Sequence, residues 1–177
     1  MPTKEEAYNI IAQLTERFEN QIENYKKNYN ETQTRQDFIN PFFEALGWDM
    51  NNKAGAWEAY REVIHEDKLK AGNVTTAPDY SFRLVGGQRL FFVEAKRPSV
   101  LIKDDITPAY QVRLYGWNAK LAISVVTDFE EFAIYQCNKK PLRSDKASTA
   151  RINYFTYKDY LKEFDFFWNT LSVKKKL

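Results

Sequence analysis

Two adjacent glycines, Gly86 and Gly87, stand between two runs rich in Tyr, Phe, Leu and Val within residues 78–96. A Gly-Gly pair in that setting predicts a tight β-hairpin, because a two-residue type I′ turn needs positive φ at both central positions. The turn then dictates the register. With Gly86 and Gly87 as the loop, Val85 faces Gln88, Leu84 faces Arg89, and the count carried outward sets Asp79 opposite Glu94. A symmetric four-residue loop gives the same pairing; an odd-length loop does not.

This register brings two carboxylates to about 5 Å of each other at their Cβ atoms. Lys96 lies two residues beyond Glu94 and so projects from the same face of the strand. Like charges directly opposite are destabilising, and burying them costs far more unless something compensates. A divalent cation is the natural compensation, since Mg²⁺ favours one or two carboxylates with water and phosphate oxygens. The Lys96 ammonium would then sit where a phosphate or an attacking water is held. The plainer alternative is a hairpin end carrying a surface Asp, a surface Glu and a lysine counter-ion.

Around this hairpin the chain reads as α/β. Ala7, Ile11, Leu14, Phe18, Ile22 and Tyr25 recur at helical spacing, predicting one amphipathic helix over residues 4–27. A second helix is expected over 31–46, capped by Asn30 with Gln33 three residues on, kinked or broken at Pro41 and stopped by Gly47. Glu31 falls in its first turn, where an acid suits the helix N-terminus and pairs with Arg35 one turn on. Residues 61–66 suggest a strand, 71–76 a loop, and His65 a structural or surface residue rather than a base. Thr107-Pro108 is read as the cap and first turn of a helix to about Trp117, with Gln111 and Tyr115 on one face. Strands over 120–127 and 131–137, joined at Asp128-Phe129-Glu130, follow. A basic loop over 138–150 and an amphipathic helix over 157–171 close the chain. A strand, a helix and a strand in succession favour a parallel crossover. The expected fold is therefore a central mixed sheet flanked by helices.

Composition narrows the function classes. The 177 residues suit a single domain with a substantial core. A net charge of +2 argues against strong non-specific DNA binding by this chain alone. One cysteine, Cys137, forms no internal disulfide and suits a reducing cytoplasm. One histidine leaves no Cys/His cluster for zinc. No apolar run is long enough to span a membrane.

Asp79, Glu94 and Lys96, set as Pro78-Asp79 … Glu94-Ala95-Lys96, resemble the PD-(D/E)XK nuclease motif. The order helix, antiparallel strands, crossover helix, strand is similar to that superfamily's restriction-endonuclease-like core. Residues 30–48 look like the first helix of nuclease domains in type I and type IIG restriction enzymes. Residues 108–117 look like their following helix, with a Gln-x-x-x-Tyr motif at Gln111 and Tyr115, and residues 124–132 also have the look of type IIG chains.

The resemblance implies a Mg²⁺-dependent DNA endonuclease domain in which Mn²⁺ can substitute. Asp79 and Glu94 would hold the metal, and Lys96 would orient the attacking water and stabilise charge at the phosphate. Glu31 matches an acidic residue of the family's first helix, which sets a supporting or second-metal ligand beside the plain reading of a solvent-facing acid. Gln111 and Tyr115 would support the site or touch the substrate strand. One endonuclease domain over residues 1–177 is expected, divided into an N-terminal helix (1–29), a catalytic core (30–137) and a loop with a C-terminal helix (138–177). Type IIG enzymes carry methyltransferase and target-recognition domains on the same chain, so a fragment of a longer chain, or a chain served by a partner subunit, is expected. Double-stranded DNA is the implied substrate. One site cuts one strand per event, which implies pairing of two copies on DNA. The rival readings are a free-standing repair or junction nuclease and a non-catalytic DNA-binding or assembly module of the same fold.

Overall fold

The computed structural model describes residues 1–71, 74–84 and 86–173. A six-stranded sheet runs in the order β1-β4-β5-β6-β7-β8. Its strands are β1 (Val63–His65), β4 (Tyr80–Arg83), β5 (Arg89–Ala95), β6 (Ile123–Thr127), β7 (Glu131–Gln136) and β8 (Arg151–Thr156). Only β5 and β6 pair in parallel, and helix α5 (Ile106–Asn118) makes the crossover between them. The expected mixed α/β sheet with flanking helices is the observed architecture. No described helix is long and apolar enough to cross a membrane.

Strand alternation sorts the core into two layers. Phe91, Val93, Ala95 and Val125 face one side, where they meet Ala7, Ile11, Leu14 and Phe18 of α1 (Lys4–Asn20). Phe42 and Phe43 of α4 (Asn40–Ala45) and Phe164, Phe167 and Leu171 of α6 (Phe164–Leu171) complete that layer. Val126, Ala133 and Tyr135 face the other side, against Ala109 and Val112 of α5, and Phe92 meets Tyr115 there.

The hairpin departs from the simplest turn. Leu84 donates its amide to Gln88 O at 2.8 Å, and Arg83 pairs with Arg89, so the closing pair Leu84–Gln88 stands an odd number of residues apart. The expected Leu84–Arg89 pairing is replaced, and the expected Val85–Gln88 pairing falls on a residue outside the described ones. Gly86 and Gly87 do take positive φ, 99° and 91°. An odd loop shifts the register by one. A bulge between Phe82 and Arg83, with Leu90 as the extra residue on β5, shifts it back. Beyond the bulge Phe82 pairs with Phe91 and Tyr80 with Val93, which is the register expected from the sequence.

Other boundaries moved for local reasons. The N-terminal helix breaks at Gln21 into α1 and α2 (Ile22–Asn28), and Tyr25 of α2 turns inward to donate its hydroxyl to the Asp128 carbonyl. Of residues 71–76, expected as a loop, 72 and 73 lie outside the described residues, and the rest take part in a small antiparallel pair, β2 (Leu69–Ala71) with β3 (Val74–Thr76). Helix α5 is capped by Asp105, whose side chain accepts from the Thr107 amide, so Thr107 is not the cap. Strand β8 was not anticipated. The expected helix over 157–171 opens instead with a 3-10 turn at Tyr157–Asp159 and becomes α-helical only at Phe164.

Candidate active site

Asp79 immediately precedes β4, Glu94 lies near the end of β5, and the register from Tyr80–Val93 sets the two opposite one another. Each carboxylate accepts a backbone amide of the opposing strand: Asp79 N–H donates to Glu94 Oε1 at 3.2 Å, and Ala95 N–H donates to Asp79 Oδ2 at 2.8 Å. Glu94 is buried at 4% exposure. Burial first, and then the Asp79 carboxyl within hydrogen-bonding reach, push its pKa up to about 9, while Lys96 pulls the other way. A buried acid crowded by a half-buried one is what a divalent cation relieves, and an all-oxygen donor set suits Mg²⁺. These residues therefore fit the implied metal.

Lys96 extends the β5–β6 ladder past the strand end, donating its amide to Thr127 O at 3.1 Å. Its Nζ reaches Gln111 Oε1 at 3.4 Å, and Gln111 Nε2 donates to Tyr115 Oη at 2.8 Å. The expected shared face of Gln111 and Tyr115 thus meets the lysine. Burial, then the charge of Glu94, raises the Tyr115 pKa. Helix α5 comes this close to the sheet because residue 116 is glycine. A Cβ there would meet Cys137 Sγ at 2.3 Å and Ser124 Oγ at 2.6 Å.

The other wall comes from α3 (Glu31–Thr34), capped by the reciprocal Asn30–Gln33 pair that the sequence predicts. Pro41 has no N–H to offer the Asp37 carbonyl one turn back, and the Arg17 side chain donates to that carbonyl instead. The helix passes through a π turn at Arg35–Ile39, where Asn40 N–H donates to Arg35 O, before α4 begins. That wider turn stacks Arg35 and Asn40, five residues apart, on one side of the helix. Both meet the same group: Arg35 Nε donates to Tyr80 Oη at 3.0 Å, and Tyr80 O–H donates to Asn40 Oδ1 at 2.5 Å.

Arg35 does not turn to Glu31 as expected. Its guanidinium lies over the Tyr80 ring, 4.6 Å from the centroid, with Nη1 3.8 Å from Asp79 Oδ1. Glu31 still belongs to this neighbourhood. Burial, then Asp79, raises its pKa, and Lys96 and Arg35 lower it. Among the described residues, however, no three His, Cys, Asp or Glu side chains gather closely enough to hold an ion, so Glu31 does not complete a ready ligand set with Asp79 and Glu94. His65 is tied into this wall: its Nδ1 is 3.3 Å from Arg35 Nη2 and its Nε2 is 2.7 Å from Met50 O. The part of Arg35, Asn40 and Tyr80 in this wall was not foreseen from the sequence, while His65 is the structural residue expected. Pro41 was the available signal, because it disturbs the helix at the point where Arg35 and Asn40 come into line.

No family model matches the chain. It is 44% identical over 158 residues to the type II restriction enzyme and methyltransferase RM.Eco57I of Escherichia coli. That alignment takes in 88% of this chain but 16% of the relative, so the chain spans a small part of that protein's length. The fold is similar to a chain of the DrdV–DNA complex solved by cryo-EM, with a TM-score of 0.51 over 94% of this chain and 99% of that one, at 16% identity.

Proposed function

We propose that this chain is a metal-dependent deoxyribonuclease domain of a restriction–modification enzyme, hydrolysing DNA phosphodiester bonds at places selected by other domains. The observation that carries this reading is the interlock of the half-buried Asp79 with the buried Glu94, with Lys96 in the same neighbourhood. The similarity to a restriction enzyme and methyltransferase, and the fold shared with a chain of a DNA complex, support it.

Asp79 and Glu94 would hold Mg²⁺, for which Mn²⁺ can substitute. A bound divalent ion supplies a polarised phosphoryl oxygen and a more acidic water. Lys96, steadied by Gln111 and through it by Tyr115, sets a fixed positive charge beside the phosphate, where negative charge grows during displacement. Arg35, on the opposite wall, faces Asp79 with its Nη1 3.8 Å from Oδ1. Glu31, whose carboxyl feels the charges of Asp79, Lys96 and Arg35, would be a supporting or second-metal ligand.

The side chains of this site address phosphate and metal rather than base edges, so sequence choice belongs elsewhere. The methyltransferase and target-recognition domains are assigned to a longer chain or a partner subunit. Cutting both strands calls for two copies meeting on DNA, and the setting is the cytoplasm.

Relaxation of supercoiled plasmid tests the reading. Nicking should require Mg²⁺ or Mn²⁺ and disappear in Asp79→Ala, Glu94→Ala and Lys96→Ala. Nicking that persists in all three variants overturns it.

A further inference from the structure

A cleft of about 420 Å³ opens beside the two acids, lined by Thr32, Arg35, Gln36, Asn40, Asn51 and His65, with Pro41 and Glu44 completing it. Its polar walls are hydroxyl, amide, imidazole, a single guanidinium and one carboxylate, that of Glu44. Arg35 lines this cleft and at the same time stands 3.8 Å from Asp79.

The donors of Arg35 can be accounted for one by one. A guanidinium carries five N–H groups. The Nε hydrogen goes to Tyr80 Oη. The Met50 carbonyl can only accept, so His65 carries its proton on Nε2, and Nδ1 accepts from Arg35 Nη2. Nη1 lies beyond hydrogen-bond length from Asp79. Both hydrogens of Nη1 and one of Nη2 therefore have no hydrogen-bond partner among the described residues. Ring stacking on Tyr80 and the His65 contact hold the fork still, and the side chain is 19% exposed. A planar fork with spare parallel donors, fixed in advance, matches the oxygens of a phosphodiester.

We infer that Arg35 grips a DNA phosphate flanking the scissile one, in the cleft between the π turn and β1, with His65 and Tyr80 as the residues that position it. This rests on the nuclease reading and adds a second phosphate subsite to it. Lys96 is tied to α5 and Arg35 to the α3–α4 wall, so two neighbouring phosphates held by these two cations would fix the direction of the strand across the acids.

The test uses the whole chain and a short blunt DNA duplex, with Ca²⁺ in place of Mg²⁺ to slow turnover. A plot of log binding constant against log salt should lose about 0.9 of its slope in Arg35→Gln and keep it in Arg35→Lys. In plasmid nicking with Mg²⁺, Arg35→Gln should raise KM more than it lowers kcat. His65 is the only histidine, so its ring ¹⁵N signals need no assignment. They should move when duplex is added to the wild type and stay in place with Arg35→Lys. A wild-type salt slope in folded Arg35→Gln overturns the inference. If that variant does not fold, His65 signals unmoved by saturating duplex overturn it equally, as does a wild type that fails to bind the duplex. A wild type that binds without nicking, yet shows the slope change, removes the nuclease reading and leaves the Arg35 contact in place.

Discussion

Asp79 and Glu94 are locked by exchange: the Asp79 amide donates to the Glu94 carboxyl, and the Asp79 carboxyl accepts from the amide just after Glu94. Neither acid can turn away without breaking a strand-to-strand bond, so their mutual repulsion is built into the hairpin.

That repulsion has a pH signature. Glu94 holds its proton up to about pH 9 in the folded chain, against an ordinary value of 4.5. Between those values the unfolded chain binds fewer protons than the folded one, so stability falls as pH rises. The metal-free protein should melt at steadily lower temperature over this range. Glu94→Gln should reduce the slope without abolishing it, because burial also raises the pKa of Asp128. Mg²⁺ should raise the melting temperature of the wild type at mildly alkaline pH and scarcely move Glu94→Gln. A pH series of melting curves with EDTA and with Mg²⁺ decides this; stability that rises with pH would contradict it.

The lysine relay should grade in one order. Lys96→Ala should lower the nicking rate about a hundredfold or more, through loss of charge at the phosphate. Gln111→Ala should cost about tenfold by freeing the lysine. Tyr115→Phe should cost least, since the ring keeps its packing against Phe92 and Leu121. Single-turnover rates at saturating Mg²⁺ check the order, and a Tyr115→Phe defect as large as that of Lys96→Ala would break it.

The hydroxyl of Tyr80 joins Arg35 to Asn40 in a buried setting. Tyr80→Phe should therefore destabilise by about 1–3 kcal/mol in urea unfolding, since two polar groups lose their shared partner. Pro41→Ala restores the missing N–H to the helix and should draw it toward regular α-helix. The chain should stay folded but nick more slowly, because Arg35 and Asn40 no longer fall in line.

Gly116→Ala ought to gain about 1 kcal/mol from helix propensity alone. Here the added methyl meets Cys137 Sγ and Ser124 Oγ. The expected result is a loss of about 1–3 kcal/mol, with slower nicking as α5 lifts Gln111 away from Lys96. Denaturant unfolding that shows equal or greater stability would refute the close approach.

What the sequence disclosed follows from how strongly each feature is written in neighbouring residues. Gly86-Gly87 between apolar runs marked the hairpin, Asn30 and Gln33 marked a helix start, and the spacing of Gln111 and Tyr115 marked a face. Features decided by distant partners were not legible. Strand β8 lies at the sheet edge, and of its residues only Phe155 is buried, so its pattern reads as polar loop. The π turn needs both Pro41 and the donation from Arg17, twenty residues upstream of Asp37, to satisfy a stranded carbonyl. The ties of His65 run to Met50 and to Arg35, neither of them near it in sequence. Glu31 was placed beside Arg35 by helical spacing, yet Arg35 prefers the Tyr80 ring and Asp79, where its flat face and its charge are both used.

The bulge at Leu90 gives the hairpin the arithmetic of a reading frame. One residue is out of step at the tip, a second is out of step four positions from Glu94, and the message at Asp79 and Glu94 is read in phase again. Either irregularity alone would swap the faces of one strand and point one acid into the hydrophobic layer. The closing pair Leu84–Gln88 and the bulge at Leu90 therefore have to be kept together, since slipping the tip by one residue without the bulge would part the two acids.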